Sequence, residues 1–167
     1  MLQYYYVDIG GIMLENQWLT MIKWLVLLVF LTVFAIRDIK EYRISNNILL
    51  FALSVRFGIF IIEFFINKIK LETLLLKSIS IICIILAGVI VNILTHSGIG
   101  FGDIKLLAMI ALYINISDIV DIIINSIFVM GIITVILLVI RKKGRKDMIP
   151  FAPAILIAVI LKGVSYI

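Results

Sequence analysis

The stretch SISIICIILAGVIVNIL, Ser78 to Leu94, contains no charged side chain. An α-helix needs roughly 20 apolar residues to cross the hydrocarbon of a bilayer, and this run, extended to Leu74 and Thr95, has that length. Apolar residues occupy all its faces, which is the pattern of a helix surrounded by lipid or protein and not of one with a water-facing side. The rest of the chain carries the same signature. Of its 167 residues 64% are hydrophobic and 15% charged, and the mean hydropathy is +1.27. A soluble core of this size cannot enclose so much apolar surface, so the sequence reads as an integral membrane protein. The single cysteine, Cys83, lies within the quoted run as a small apolar residue. One cysteine excludes a disulfide framework and a paired-cysteine zinc site.

Working outward, the apolar runs predict six spans near Trp18–Ile36, Asn47–Ile66, Leu74–Thr95, Ile104–Ser117, Ile119–Ile140 and Pro150–Ile167. The expected fold is all-α and polytopic, a single membrane domain over residues 1–167 without repeats or linkers. The fourth span is short. At 1.5 Å per residue it rises about 21 Å against about 30 Å of hydrocarbon, so it starts below the headgroups or thins the bilayer around it. Residues 1–17 hold no Lys or Arg and therefore lack the basic start of a cleaved signal peptide. They are expected to form a short external tail, with Tyr4, Tyr5, Tyr6 and Trp18 suited to the interface.

The net charge of +5 is clustered between apolar runs, as in cytoplasmic loops, and implies topology and not a nucleic-acid partner. With the N-terminus outside, the first, third and fifth loops carry Arg37, Lys40, Arg43, Lys105, Arg141, Lys142, Lys143, Arg145 and Lys146. The opposite side has Lys68, Lys70 and Lys77. Nine against three predicts an outside N-terminus and puts Asp38 and Asp103 on the same, cytoplasmic face.

An acid beside hydrocarbon is costly and is a functional candidate by default. Asp118, Asp121, Glu72 and Asp147 read as exposed loop charges, but Asp38 and Asp103 keep different company. In GIGFGDIKLL, residues 98–107, Gly98, Gly100 and Gly102 precede Asp103. They remove side chains that would hold off another backbone or a substrate, although small residues also serve plain helix packing. Irregular backbone at membrane depth requires protein or water around it, so this loop implies a cavity with Asp103 at its lip. Two neighbouring carboxyls cannot both ionise easily; one keeps a proton while the other acts as a base, which is aspartic-protease chemistry without a metal or cofactor.

GFGDIK, Gly100 to Lys105, resembles the GxGD motif of the type IV prepilin peptidases. RDIKEYRISN, Arg37 to Asn46, is similar to their other aspartate segment, with Ser45 where the family often has Pro. IPFAPAI, Ile149 to Ile155, resembles their Pro-Phe-x-Pro helix start. The resemblance covers essentially the whole chain. It implies that Asp38 and Asp103 are catalytic and that the basic leader of a prepilin, pseudopilin or archaellin-like substrate with an apolar N-terminal helix is cut on the cytoplasmic side. The paired CxxC motifs of larger members are missing, so the resemblance implies a short form without N-methylation.

Gly100, Gly102, Lys105, Arg43 and Asn46 are expected in the active-site loops or against substrate. Lys105 can pair with Asp103 or a lipid phosphate; Arg43 and Asn46 orient the first loop. Arg56 and Glu63 share a helix face and are expected to pair inside the bundle. His96, the single histidine, reads as a loop or helix-end residue, without the partners a metal would need.

Two alternatives stay open. PAI at 153–155 is similar to the PAL motif of presenilin-like and signal-peptide-peptidase-like GxGD proteases, whose first aspartate lies mid-helix. A small proton-coupled carrier would also use two acids, but nearer mid-membrane. In the dyad, the proton is expected on Asp38, placed after the C-terminal end of the first helix, with Asp103 as the base at a helix N-terminus.

Overall fold

Each long apolar run folds as a helix, because within lipid a backbone can satisfy its N–H and C=O groups only internally. The computed structural model describes residues 17–67, 71–95, 100–114, 116–140 and 149–164. These form α1 (Gln17–Glu41), α2 (Asn46–Asn67), α3 (Leu71–Leu94), α4 (Phe101–Tyr113), α5 (Ile116–Val139) and α6 (Ala152–Val164). Four of them, α1, α2, α3 and α5, are long and apolar enough to cross a membrane; α4 and α6 have 13 residues each. The protein is therefore an all-helical membrane protein. His96, Gly98, Asp147 and the tail before Gln17 lie outside the described residues.

The ends of the helices depart from the hydropathy reading. Helix α1 continues past Ile36 to Glu41, so Asp38 lies inside it, one turn before its end. Polar residues can extend a helix out of the apolar layer, and hydropathy is blind to that extension. Helix α4 stops at Tyr113, and α5 already starts at Ile116, whereas hydropathy carries the fourth span to Ser117.

Burial follows helical periodicity, and the polar groups lie inside. Along α1 the buried stripe runs Leu19, Lys23, Leu27, Leu31, Phe34, Ala35 and Asp38, while Met21, Leu25, Val29 and Val33 face outward. Along α2 it runs Ala52, Arg56, Ile59 and Glu63. In lipid an outward apolar face costs nothing, so ionic groups collect where protein can pair them. Half-length α4 supplies much of the centre through Leu106, Met109, Ile110 and Tyr113, touching α1, α2, α3 and α5, while α6 packs on α1 and α5. Cys83 is exposed on α3.

The short α4 leaves carbonyls at depth, and α2 satisfies one of them. Arg56 Nε donates to Leu112 O at 2.6 Å, and its Nη1 meets Glu63 Oε2 at 3.0 Å. The expected Arg56–Glu63 pair is thus present, joined by Lys23 Nζ at 3.0 Å from Glu63 Oε1. Tyr113 donates its hydroxyl to Ala52 O at 2.7 Å. A second ionic group ties α5 to α6, with Lys162 Nζ 3.3 Å from Asp118 Oδ1 and 2.6 Å from Asp121 Oδ2. Asp118 is consequently not the exposed loop charge expected of it. It is buried in the first turn of α5, because a cation on the neighbouring helix pairs with it.

Candidate active site

Asp38 reaches the interior because it continues the buried stripe of α1, and it is 5% exposed. The helix closes just behind it, where Tyr42 N–H donates to Asp38 O at 3.0 Å. Tyr42 has φ 52°, a left-handed conformation that normally falls to glycine at a helix end. This turn sends the chain back toward α2 and carries Ile44 against Gly102 in the first turn of α4.

Asp103 is the third residue of α4. Gly100 caps that helix without a side chain, and its carbonyl accepts Asp103 N–H at 3.0 Å and Ile104 N–H at 3.4 Å. The carboxylate bends back over the same glycine and bonds its backbone, a reciprocal arrangement like a capping box. A Cβ on Gly100 would lie 3.3 Å from Asp103 Oδ2, so the glycine leaves room for the carboxylate.

The first loop meets the first turn of α4 directly. A Cβ on Gly102 would come 3.0 Å from Ile44 Cγ1 and 3.1 Å from Ile44 Cβ. Beside it Lys105 Nζ donates to Asn46 Oδ1 at 3.3 Å. Lys105 thus bonds the first loop's end and not Asp103, because its position one turn above Gly102 faces the start of α2. Gly100, Gly102, Asn46 and Lys105 are brought together with the two aspartates. Arg43 is exposed, as are Arg37, Lys40 and Glu41.

A third element enters that site reasoning from sequence missed. Ala152 N–H, at the start of α6, donates to Asp38 Oδ2 at 2.9 Å, and both residues are buried. The signal was present in PFAP, but nothing local to that motif says which side chain it faces. Ile44 was equally hidden, since its contact with Gly102 arises only when the first loop packs on α4.

The surroundings of Asp103 act on its titration. Burial, with the nearby Asp38 charge adding to it, pushes Asp103 up to about 6, against the opposing pull of the Gly100 backbone bond. Desolvation here outweighs the dipole of α4, whose effect is typically 0.3–1 kcal/mol. Asp38, for its part, faces the start of α6, whose Ala152 N–H donates to its Oδ2.

Residues 25–136 match the type IV leader peptidase family. Neither a curated protein nor a solved structure was found to match the chain.

Proposed function

The chain belongs to the type IV leader peptidase family, and from that premise we propose that it is an aspartic endopeptidase removing the basic leader from prepilin-like proteins. The membership makes it a peptidase and sets the carrier reading aside. The aspartic mechanism is supported by one arrangement: the start of α6 holds the buried Asp38, and Asp103 opens α4 near enough for the Asp38 charge to add to the burial that raises it. Two carboxyls in different environments, Asp38 buried against the start of α6 and Asp103 raised by burial, suit acid and base work at the same bond.

In this reading the Asp38 carboxylate takes a proton from water as the oxygen attacks the scissile carbonyl carbon. Asp103 gives its proton to the carbonyl oxygen, forming a gem-diol. Collapse breaks the C–N bond, returns a proton from the diol to Asp103 and passes the proton on Asp38 to the departing amine. Both carboxyls end as they began. The substrate is a protein with a basic leader followed by an apolar helix; the helix occupies lipid while the scissile peptide extends across the glycine loop. By the distribution of Lys and Arg, this face is cytoplasmic in a prokaryotic plasma membrane.

The test is leader cleavage by Asp38→Asn and Asp103→Asn in membranes. Each variant is expected to lose cleavage while remaining folded, since an amide cannot exchange the required proton. Near wild-type cleavage by both would sink the aspartic reading.

A further inference from the structure

The start of α6 has an unusual hydrogen-bond account. Phe151 O accepts both Ala154 N–H at 3.0 Å and Ile155 N–H at 3.2 Å. Pro153 has no N–H to offer. Of the backbone donors from residue 152 to residue 155, that leaves Ala152 N–H for a partner outside the helix. It goes to Asp38 Oδ2 at 2.9 Å. Ala152 is 0% exposed and Asp38 5%, so water does not compete for this bond.

We propose that the backbone N–H of Ala152 is a positioning group for the active site, holding the Asp38 carboxylate in one orientation and leaving its other oxygen to face the attacking water. This inference rests on the aspartic reading and deepens it. The PFAP sequence acts as a focusing device. Pro153 removes a competing donor and fixes the first turn, Phe151 O takes the next two N–H groups, and one donor is left aimed across the helix interface. A hydrogen bond to an ionised acceptor is shorter and about twice as strong as a neutral one, and a buried bond of this kind fixes direction as well as charge. The same stripe that buries Asp38 also seats α6 on α1, so the packing that builds the core sets the catalytic rotamer.

The charged groups at this end of the described bundle are Asp103 and Lys105 of α4 and Arg37, Lys40, Glu41 and Arg43 around the end of α1. Of these, Asp103 is the partly buried one, and the others are exposed. The Ala152 bond is accordingly the buried polar contact that distinguishes Asp38 from Asp103.

The test replaces the Ala152 amide by an ester, incorporating lactic acid at position 152 of the full-length protein in lipid nanodiscs. This deletes the N–H and leaves the side chain as it was. Ala152→Pro is the genetic counterpart, since Pro fits the first position of a helix, and Ala152→Gly is the control that keeps the donor. Two readouts are followed: the isotope-edited infrared carboxylate band of Asp38, assigned with Asp38→Asn, and the pH profile of cleavage of a leader-bearing substrate. The ester is expected to move the carboxylate band, lower kcat by about ten- to a hundredfold with little change in KM, and carry the acid limb of kcat/KM to higher pH. Ala152→Gly is expected to leave the band and the limb in place. An unchanged band and an unchanged acid limb in the ester variant would overturn the proposal. A band that moves in a protein whose wild type cuts no leader would instead overturn the aspartic peptidase reading and leave the Ala152 contact standing.

Discussion

Ile44 occupies the space that any side chain on Gly102 would need, with its Cγ1 3.0 Å and its Cβ 3.1 Å from where a Cβ would sit. The glycine of the GxGD segment is therefore required by the first loop, and only indirectly by Asp103. Gly102→Val is expected to impair cleavage much more than expression, because the branched side chain would push the first loop away from α4. The clash makes a sharper prediction than the loss alone. Ile44→Ala should restore part of the activity of Gly102→Ala, giving a coupling in a double-mutant cycle of about 0.5–3 kcal/mol. Strictly additive effects would show that the first loop and α4 do not meet as described.

The raised Asp103 gives cleavage a definite pH dependence. If Asp103 must be protonated, kcat/KM falls as pH rises through about 6, the value to which burial and Asp38 push it. The measured limb belongs to the coupled pair. Bound substrate should exclude more water, so the corresponding limb of kcat is expected at higher pH than that of kcat/KM. A profile that rises through this range would argue for Asp103 acting as the ionised partner.

The same shift affects stability with the opposite consequence to that of a paired carboxylate. Between the ordinary value of 3.8 and about 6 the folded protein binds more protons at Asp103 than the unfolded chain does. Stability at this site is thus full below the ordinary value and is lost as pH rises through the folded one. Asp103→Asn, inactive by the proposed mechanism, should raise the Tm in nanodiscs at pH 7 and leave it nearly unchanged at pH 4. Thermal unfolding at the two pH values checks this.

At the far end of the bundle, Glu63 holds two buried cations. Removing Lys23 leaves the Arg56–Glu63 pair, whereas removing Glu63 leaves two buried positive charges without their shared carboxylate. Glu63→Met is expected to destabilise the protein by about 3–5 kcal/mol, and Lys23→Met by less. Equal losses of Tm in the two variants would contradict the shared arrangement.

The bond from Lys105 to Asn46 is exposed and 3.3 Å long, which places it among the weak ones. Lys105→Met and Asn46→Ala are expected to retain cleavage within about fivefold, with the double variant no worse than the single ones, because each removes the same bond of roughly 0.5–1.5 kcal/mol. A large loss in Lys105→Met alone would show that the lysine acts on substrate.

The amino-acid sequence by itself determined the solvent, the helical class and the pairing of Arg56 with Glu63. A bilayer forces apolar runs of sufficient length into helices, and residues seven apart share a helix face whatever surrounds them. It also singled out Asp38 and Asp103, because both acids adjoin apolar spans, where an acid is rare unless the fold uses it, and glycines precede Asp103. The reach of α1 beyond Ile36, the contact of Ile44 with Gly102 and the cation that buries Asp118 were decided by tertiary structure. So was the partner of Asp38: a residue's own helix is local and readable, but the Ala152 N–H arrives from 114 positions away. Desolvation of Asp103 likewise depends on everything packed around it, and no window of sequence contains that sum.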